Sequence, residues 1–142
     1  MPSPLIKNMI EKYDYPLLNE SSIEDFIQSQ EECVLFFTEN PVRFPESDDV
    51  AMILPELINE YSGRFTAAVI EQNSQVKLQM RFGFKQWPSL VFLRKGKYLG
   101  VISKVQDWAD YIIKINQILT SKPKTAPGFI IPVTQPVQNY NQ

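Results

Sequence analysis

The 142-residue chain contains no histidine and a single cysteine, Cys33, and both shortages close off chemistry. Without histidine there is no Ser-His or Cys-His nucleophile pair, and with one thiol there is no intrachain disulfide or Cys/His metal site. Only five glycines are present and none are clustered, so no glycine-rich phosphate loop can be built. No apolar run approaches the roughly 18–20 residues that a membrane-spanning helix needs, and the N-terminus lacks the charged-then-apolar layout of a signal peptide. These features predict a cytoplasmic protein that neither inserts into a membrane nor carries a cofactor. Net charge is −2, which by itself says nothing about partners, and no nucleic-acid partner is expected. Oligomeric state leaves no signal in the sequence.

What is present suits one domain: 44% of residues are hydrophobic, enough at this length for an ordinary core. Charge is unevenly placed. Glu20, Glu24, Asp25, Glu31 and Glu32 form an acidic run without a base, while the stretch from Lys77 to Lys104 holds seven bases and no acid. The pattern predicts one acidic and one basic surface region.

Along the chain, Leu5, Ile6, Met9, Ile10 and Tyr13 have helical spacing behind Pro4, predicting an N-terminal helical extension over residues 1–14. A brief extended piece at 15–19 precedes two capping-box spacings, Ser21 to Glu24 and Ser22 to Asp25, and a helix over about 22–28. Cys33 to Thr38 is a continuous apolar run, the signature of a strand buried on both faces with a parallel neighbour. Phe65 to Ile70 is that neighbour. Between them, Val50, Ile53, Leu54, Leu57, Ile58 and Tyr61 form a helical stripe, completing a crossover unit. Pro55 lies inside the stripe, where proline ordinarily disrupts a helix. A short helix over 75–82 leads to a hairpin whose strands begin at Leu90 and Tyr98. A last helix follows, with its apolar face read as Val105, Trp108, Ala109, Ile112, Ile115 and Leu119. Residues 121–142 are rich in proline, glutamine and asparagine and predict a mostly disordered tail, although Phe129-Ile130-Ile131 is apolar enough to dock.

The segment Gly83-Phe84-Lys85-Gln86-Trp87-Pro88-Ser89, followed by an apolar strand and Arg94-Lys95-Gly96, resembles the cis-proline hairpin of the thioredoxin superfamily. Met52-Ile53-Leu54-Pro55-Glu56-Leu57 resembles the kinked helix that follows that superfamily's redox motif. The resemblance implies an α/β thioredoxin-like three-layer sandwich over residues 15–120, with a central mixed sheet. It also places the Cys-x-x-Cys motif on Ser47-Asp48-Asp49-Val50, and the buried proton-transfer carboxylate on Phe36. Neither thiol is there, nor is the carboxylate. Cys33 falls at the other end of its strand and reads as a small buried hydrophobe.

The loop before that helix, Glu39 to Asp49, holds four acids and one arginine. Asp48 and Asp49 have two readings, as acids opposing the helix dipole or as part of a cation-binding surface. Trp87 likewise suits either a packing role or stacking on a guanidinium. Pro41-Val42-Arg43-Phe44-Pro45-Glu46, the Asp48-Asp49 pair, Met52 to Ile58 and Trp87-Pro88-Ser89-Leu90-Val91-Phe92 together resemble the hydrogenase-1 expression protein HyaE/HupG family. This narrower resemblance implies a non-catalytic maturation chaperone for the nickel–iron uptake hydrogenase, binding the twin-arginine signal peptide of its small subunit. The peptide-binding residues it suggests are Glu39, Arg43, Glu46, Asp48, Asp49, Trp87 and Pro88. Two other functions fit fewer features: a thioredoxin-like adaptor with a different protein partner, and a single-cysteine redox enzyme. The second requires Cys33 to be accessible with a lowered pKa.

Overall fold

The computed structural model describes residues 3–127. Five strands form one sheet in the order β1-β3-β2-β4-β5: β1 (Leu17–Leu18), β2 (Glu32–Phe37), β3 (Thr66–Ile70), β4 (Ser89–Arg94) and β5 (Lys97–Ser103). β1, β3 and β2 run parallel, whereas β4 is antiparallel to β2 and β5 to β4. The short β1 and the hairpin strand β5 are therefore the edges. Every residue of β2 is buried, as a central strand covered on both faces requires.

Side-chain alternation along β2 divides the core into two layers. Val34 and Phe36 face a cluster supplied by α1 (Pro4–Tyr13), α3 (Glu46–Glu60) and α5 (Trp108–Leu119). Cys33, Leu35 and Phe37 face the other side, against α2 (Ile23–Ser29) and α4 (Gln75–Phe82). This is the three-layer, mixed-sheet arrangement that the thioredoxin resemblance predicts. Helix α3 continues through Pro55, which cannot donate to the Ala51 carbonyl. An interior proline costs about 3 kcal/mol. Burial of Val50, Leu54 and Leu57, at about 1.5–3 kcal/mol each, outweighs it.

Three local expectations differ from the structure. Neither capping box forms at α2. The Asn19 side-chain oxygen accepts the Ser21 and Ser22 backbone N–H groups, and the Ser22 hydroxyl accepts the Asn19 N–H at 2.9 Å. An Asx turn at Asn19 thus occupies the hydroxyl that would have capped the helix. In α5 the buried face is Tyr111, Ile115 and Leu119, while Trp108 and Ala109 are exposed in the first turn. The i, i+4, i+8 stripe begins at Tyr111, a residue the expected face leaves out. Finally, residues 121–127, assigned to the tail, make definite contacts. Lys124 N–H donates to the Tyr98 carbonyl at 2.9 Å, and Ala126 packs on the second cluster. Phe129-Ile130-Ile131 and the expected disorder beyond lie outside the described residues.

The acidic and basic runs do not form separate surfaces. They pair with each other, because α2 and α4 share one face of the sheet and Glu32 lies opposite Arg94 in the β2–β4 register. Glu20 meets Lys77, Glu24 meets Arg81, Glu31 meets Lys95 and Glu32 meets Arg94. Glu32 is only 6% exposed. Its carboxylate accepts from Arg64 Nε at 2.8 Å and from Arg94 Nε and Nη2 at 2.9 and 2.8 Å. The guanidinium groups of Arg64 and Arg94 also donate to the Leu119 carbonyl at the end of α5. Burial pushes the Glu32 carboxyl upward, but the two arginines outweigh it and hold the group below the usual range.

Candidate functional site

The candidate surface sits where β2 ends and β4 begins, since Phe37 pairs with Ser89 in the sheet. Register alone brings the 39–49 loop to Trp87–Pro88. The loop is closed by local bonds. Glu39 adopts a left-handed backbone (φ 52°), and its N–H is accepted by the side-chain oxygen of Gln75. Gln75, 1% exposed, also donates to the Ile70 carbonyl at 2.9 Å and to the Thr38 hydroxyl at 3.1 Å. A fully bonded buried amide therefore ties the loop to the start of α4. The Asn40 carbonyl accepts the N–H groups of Arg43 and Phe44 at 3.0 and 2.9 Å, making a tight turn that leaves Val42 89% exposed.

Ser47 takes the position expected of the first redox thiol. It is buried, and its hydroxyl donates to the Thr38 carbonyl at 2.6 Å. Val50 and Phe36 are buried apolar residues at the other two positions. Cys33 lies at the far end of β2, 1% exposed, and burial pushes its thiol up to about 12. A thiol so placed is the opposite of the exposed, lowered-pKa nucleophile that redox chemistry needs. Among the described residues no group of three or more acidic or thiol side chains is placed to hold a metal ion. No described helix is long and apolar enough to cross a membrane.

The seven residues singled out from the sequence occupy this end of the sheet in different states. Glu46 accepts the Val105 N–H at 3.1 Å and pairs with the Lys104 ammonium at 3.0 Å. Those two partners hold its carboxyl below the usual range, the Val105 bond contributing most. Asp48 accepts the Ser3 hydroxyl and so ties the N-terminus of α1 to α3. The Glu39 carboxylate turns back onto the Asn40 N–H. Asp49 is exposed. Three of the four acids thus hold the surface together as well as charging it, and all except Glu39 lie in the first turn of α3, where its dipole favours them. Arg43 lies over the Phe44 ring, 5.3 Å from its centroid.

Trp87 takes the packing role of the two considered for it, with part of its ring left open. It packs edge-on against Phe84 at 5.1 Å and near Phe37 at 6.3 Å, anchoring one side in the core. Its other neighbour is Phe44 of the acidic loop, at 6.5 Å, and the indole is half-buried. Pro88 is buried, the Trp87–Pro88 peptide bond is cis, and the Pro88 carbonyl accepts the Lys104 N–H at 2.7 Å. Lys104 (φ 64°) and Gln75 were not anticipated as parts of the site. The first was hidden within the basic run, and nothing in sequence marks a glutamine at a helix start as a buried staple. A larger cleft of about 420 Å³ lies at the opposite end, between Arg81, Tyr98 and residues 123–126.

Comparison with known proteins is consistent with this geometry. A solved structure of thioredoxin from Plasmodium falciparum is 10% identical, with a TM-score of 0.60 over 72% of this chain and 97% of that one, which establishes the fold alone. The crystal structure of a putative hydrogenase expression/formation protein HupG from Rhodopseudomonas palustris is 42% identical. It covers 73% of this chain and 94% of that one, with a TM-score of 0.53. The hydrogenase expression/formation protein HoxO of Azotobacter vinelandii is 41% identical over 94% of this chain and 88% of its own length. HupG of Rhizobium leguminosarum bv. viciae is 38% identical over 84% and 83%. The family described as Hydrogenase-1 expression protein HyaE matches residues 5–111, which takes in most of α1, a helix expected to lie outside the resemblance. With three quarters of its length matched and relatives of this closeness, the chain belongs to the hydrogenase-1 expression protein HyaE family.

Proposed function

We propose that the protein is a non-catalytic, cytoplasmic chaperone in nickel–iron hydrogenase maturation, and that it binds the twin-arginine signal peptide of the hydrogenase small subunit. Family membership supports the hydrogenase role. The observation that carries the finer reading is the contact of Phe44 with Trp87, which joins a four-acid loop to an aromatic surface at one end of the sheet. Arginine recognition needs carboxylates for the guanidinium fork and a flat apolar face beside them. The chain's own Arg43, lying over the Phe44 ring, supports the reading as a local example of a guanidinium on an aromatic face of this surface.

Calorimetric titration with a synthetic signal peptide tests the reading. Binding should weaken as salt rises, because partly exposed charges are screened. Glu39→Gln with Glu46→Gln should cost affinity, and replacing the peptide's arginines by lysine should weaken it further for want of a planar fork. Binding that ignores salt, loop charge and arginine identity alike would place the peptide elsewhere.

A further inference from the structure

A second concavity lies at the same end of the sheet. It is a cleft of about 190 Å³ between α1, β1 and the turn that follows β3. It opens beyond the carboxyl ends of the three parallel strands, the position where open α/β sheets commonly take ligands. Ile6, Ile10 and Leu17 supply apolar walls, Thr38 closes one end, and Glu71 is the only charged residue of the lining. Leu17 is 46% exposed, on a two-residue edge strand whose outer side has no neighbouring strand among the described residues. Lys7 is exposed on α1, one residue from Ile6, but is not part of the lining.

Two bonds connect this cleft to the acidic loop. Thr38, at its end, is held by Ser47 through its carbonyl, and α1, which forms its wall, is held by Asp48 through Ser3. Loop and cleft are therefore tied together at one end of the sheet. Resting on the signal-peptide reading, we infer that the cleft is the apolar subsite for that peptide. It receives a leucine- or phenylalanine-sized side chain while the arginine meets the loop carboxylates. Size is compatible: a cavity of roughly 150 Å³ holds a benzene ring. Charge is too, since a cationic segment meets Glu71 at the cleft and the acids of the loop. Spacing follows from α1. Ser3 to Ile10 is about 10 Å at 1.5 Å per residue. An extended peptide covers that in about three residues, so the buried side chain lies about three residues from the arginine.

The test uses the full chain with labelled isoleucine, leucine and valine methyls, titrated with the synthetic signal peptide. A control peptide keeps the arginines but has its apolar residues replaced by serine. The methyls of Ile10 and Leu17 should shift saturably with the first peptide and not with the second. Leu17→Asp should weaken binding roughly tenfold or more, and Leu17→Ala by less. The remaining methyl spectrum of each variant reports that the fold is intact. If wild-type protein binds but the Ile10 and Leu17 methyls stay silent, or Leu17→Asp binds normally, the cleft is not the subsite and the loop reading survives. If wild-type protein does not bind the peptide at all, both fall together.

Discussion

Glutamate 32 is the position where a single charge change should be felt most. Its carboxylate is 6% exposed and lies between two guanidinium groups whose side chains are 49% (Arg64) and 24% (Arg94) exposed. Removing one member of a buried ion pair costs about 3–5 kcal/mol, whereas an exposed pair is worth about 0–1 kcal/mol. Arg94 belongs nearer the first class and Arg64 nearer the second. Glu32→Gln, which keeps the shape but sets an amide against two cations, is therefore expected to lose about 2–4 kcal/mol at pH 7. The pH dependence has a definite sign. The folded carboxyl releases its proton at a lower pH than the unfolded one, so its contribution is fully present above about pH 4.3. It is lost as pH falls through the lower folded value, because there the unfolded chain binds more protons. Urea unfolding of wild type and variant at pH 7 and at about pH 3 measures both effects, and the gap between them should narrow in acid. A loss below about 1 kcal/mol at pH 7, or a gap that does not change with pH, would refute the assignment of Glu32 as the clamp between β2, β4 and the end of α5.

Two further outcomes concern the chemistry of the site and its competition for charge. Cys33→Ser should leave peptide affinity unchanged while costing about 1–3 kcal/mol of stability for an unpartnered buried hydroxyl; a native thiol that reacts rapidly with Ellman's reagent at neutral pH would contradict its burial. Lys104→Met should change stability by less than about 1 kcal/mol, since the pair with Glu46 is partly exposed, and should tighten peptide binding by removing the ammonium that occupies Glu46. Weaker binding in that variant, measured by the same calorimetry, would mean that Lys104 supports the surface rather than competing for it.

The parts of the fold legible in sequence are those specified by local pattern. The all-apolar run of β2, the periodic stripe of α3 and the proline-led hairpin each announce their element within a few residues, and the structure places all three as predicted. What escaped depends on which faces meet. Glu32 looked like one acid in a charged stretch, because its partners lie 32 and 62 positions further along the chain. Gln75 has no local feature that distinguishes a buried staple from a surface amide. The acidic and basic runs looked like two poles until the shared face of α2 and α4 set them against each other. Trp108 was read onto the buried face, yet as the first residue of α5 it lies 42% exposed, while Tyr111 one turn later is fully buried. At the site, the juxtaposition of loop and Trp87 followed from resemblance. The cleft beside Leu17 needed the position of α1, which no pattern within that helix specifies.

The bonds around Ser47 also bear on how such a surface could hold a peptide and then release it. Where a redox relative needs a reactive group at the head of this helix, Ser47 instead fastens the helix to Thr38, and Gln75 fastens the following residue to α4. The backbone of the loop is thereby fixed before any ligand arrives, which reduces the entropy lost on binding. The carboxylates differ from the backbone in this respect. Glu46 and Lys104 are partly exposed, so their pairing is weak enough to be exchanged for an incoming guanidinium at small net cost. On the proposed reading, affinity comes from apolar contact with Trp87 and the α1 cleft, while the acids supply selection for arginine and a salt-sensitive contribution. A rigid backbone bearing exchangeable charges suits a chaperone, which must hand its client on, better than a deeply buried ion pair would. A buried pair binds through contacts whose desolvation and slow breakage oppose release.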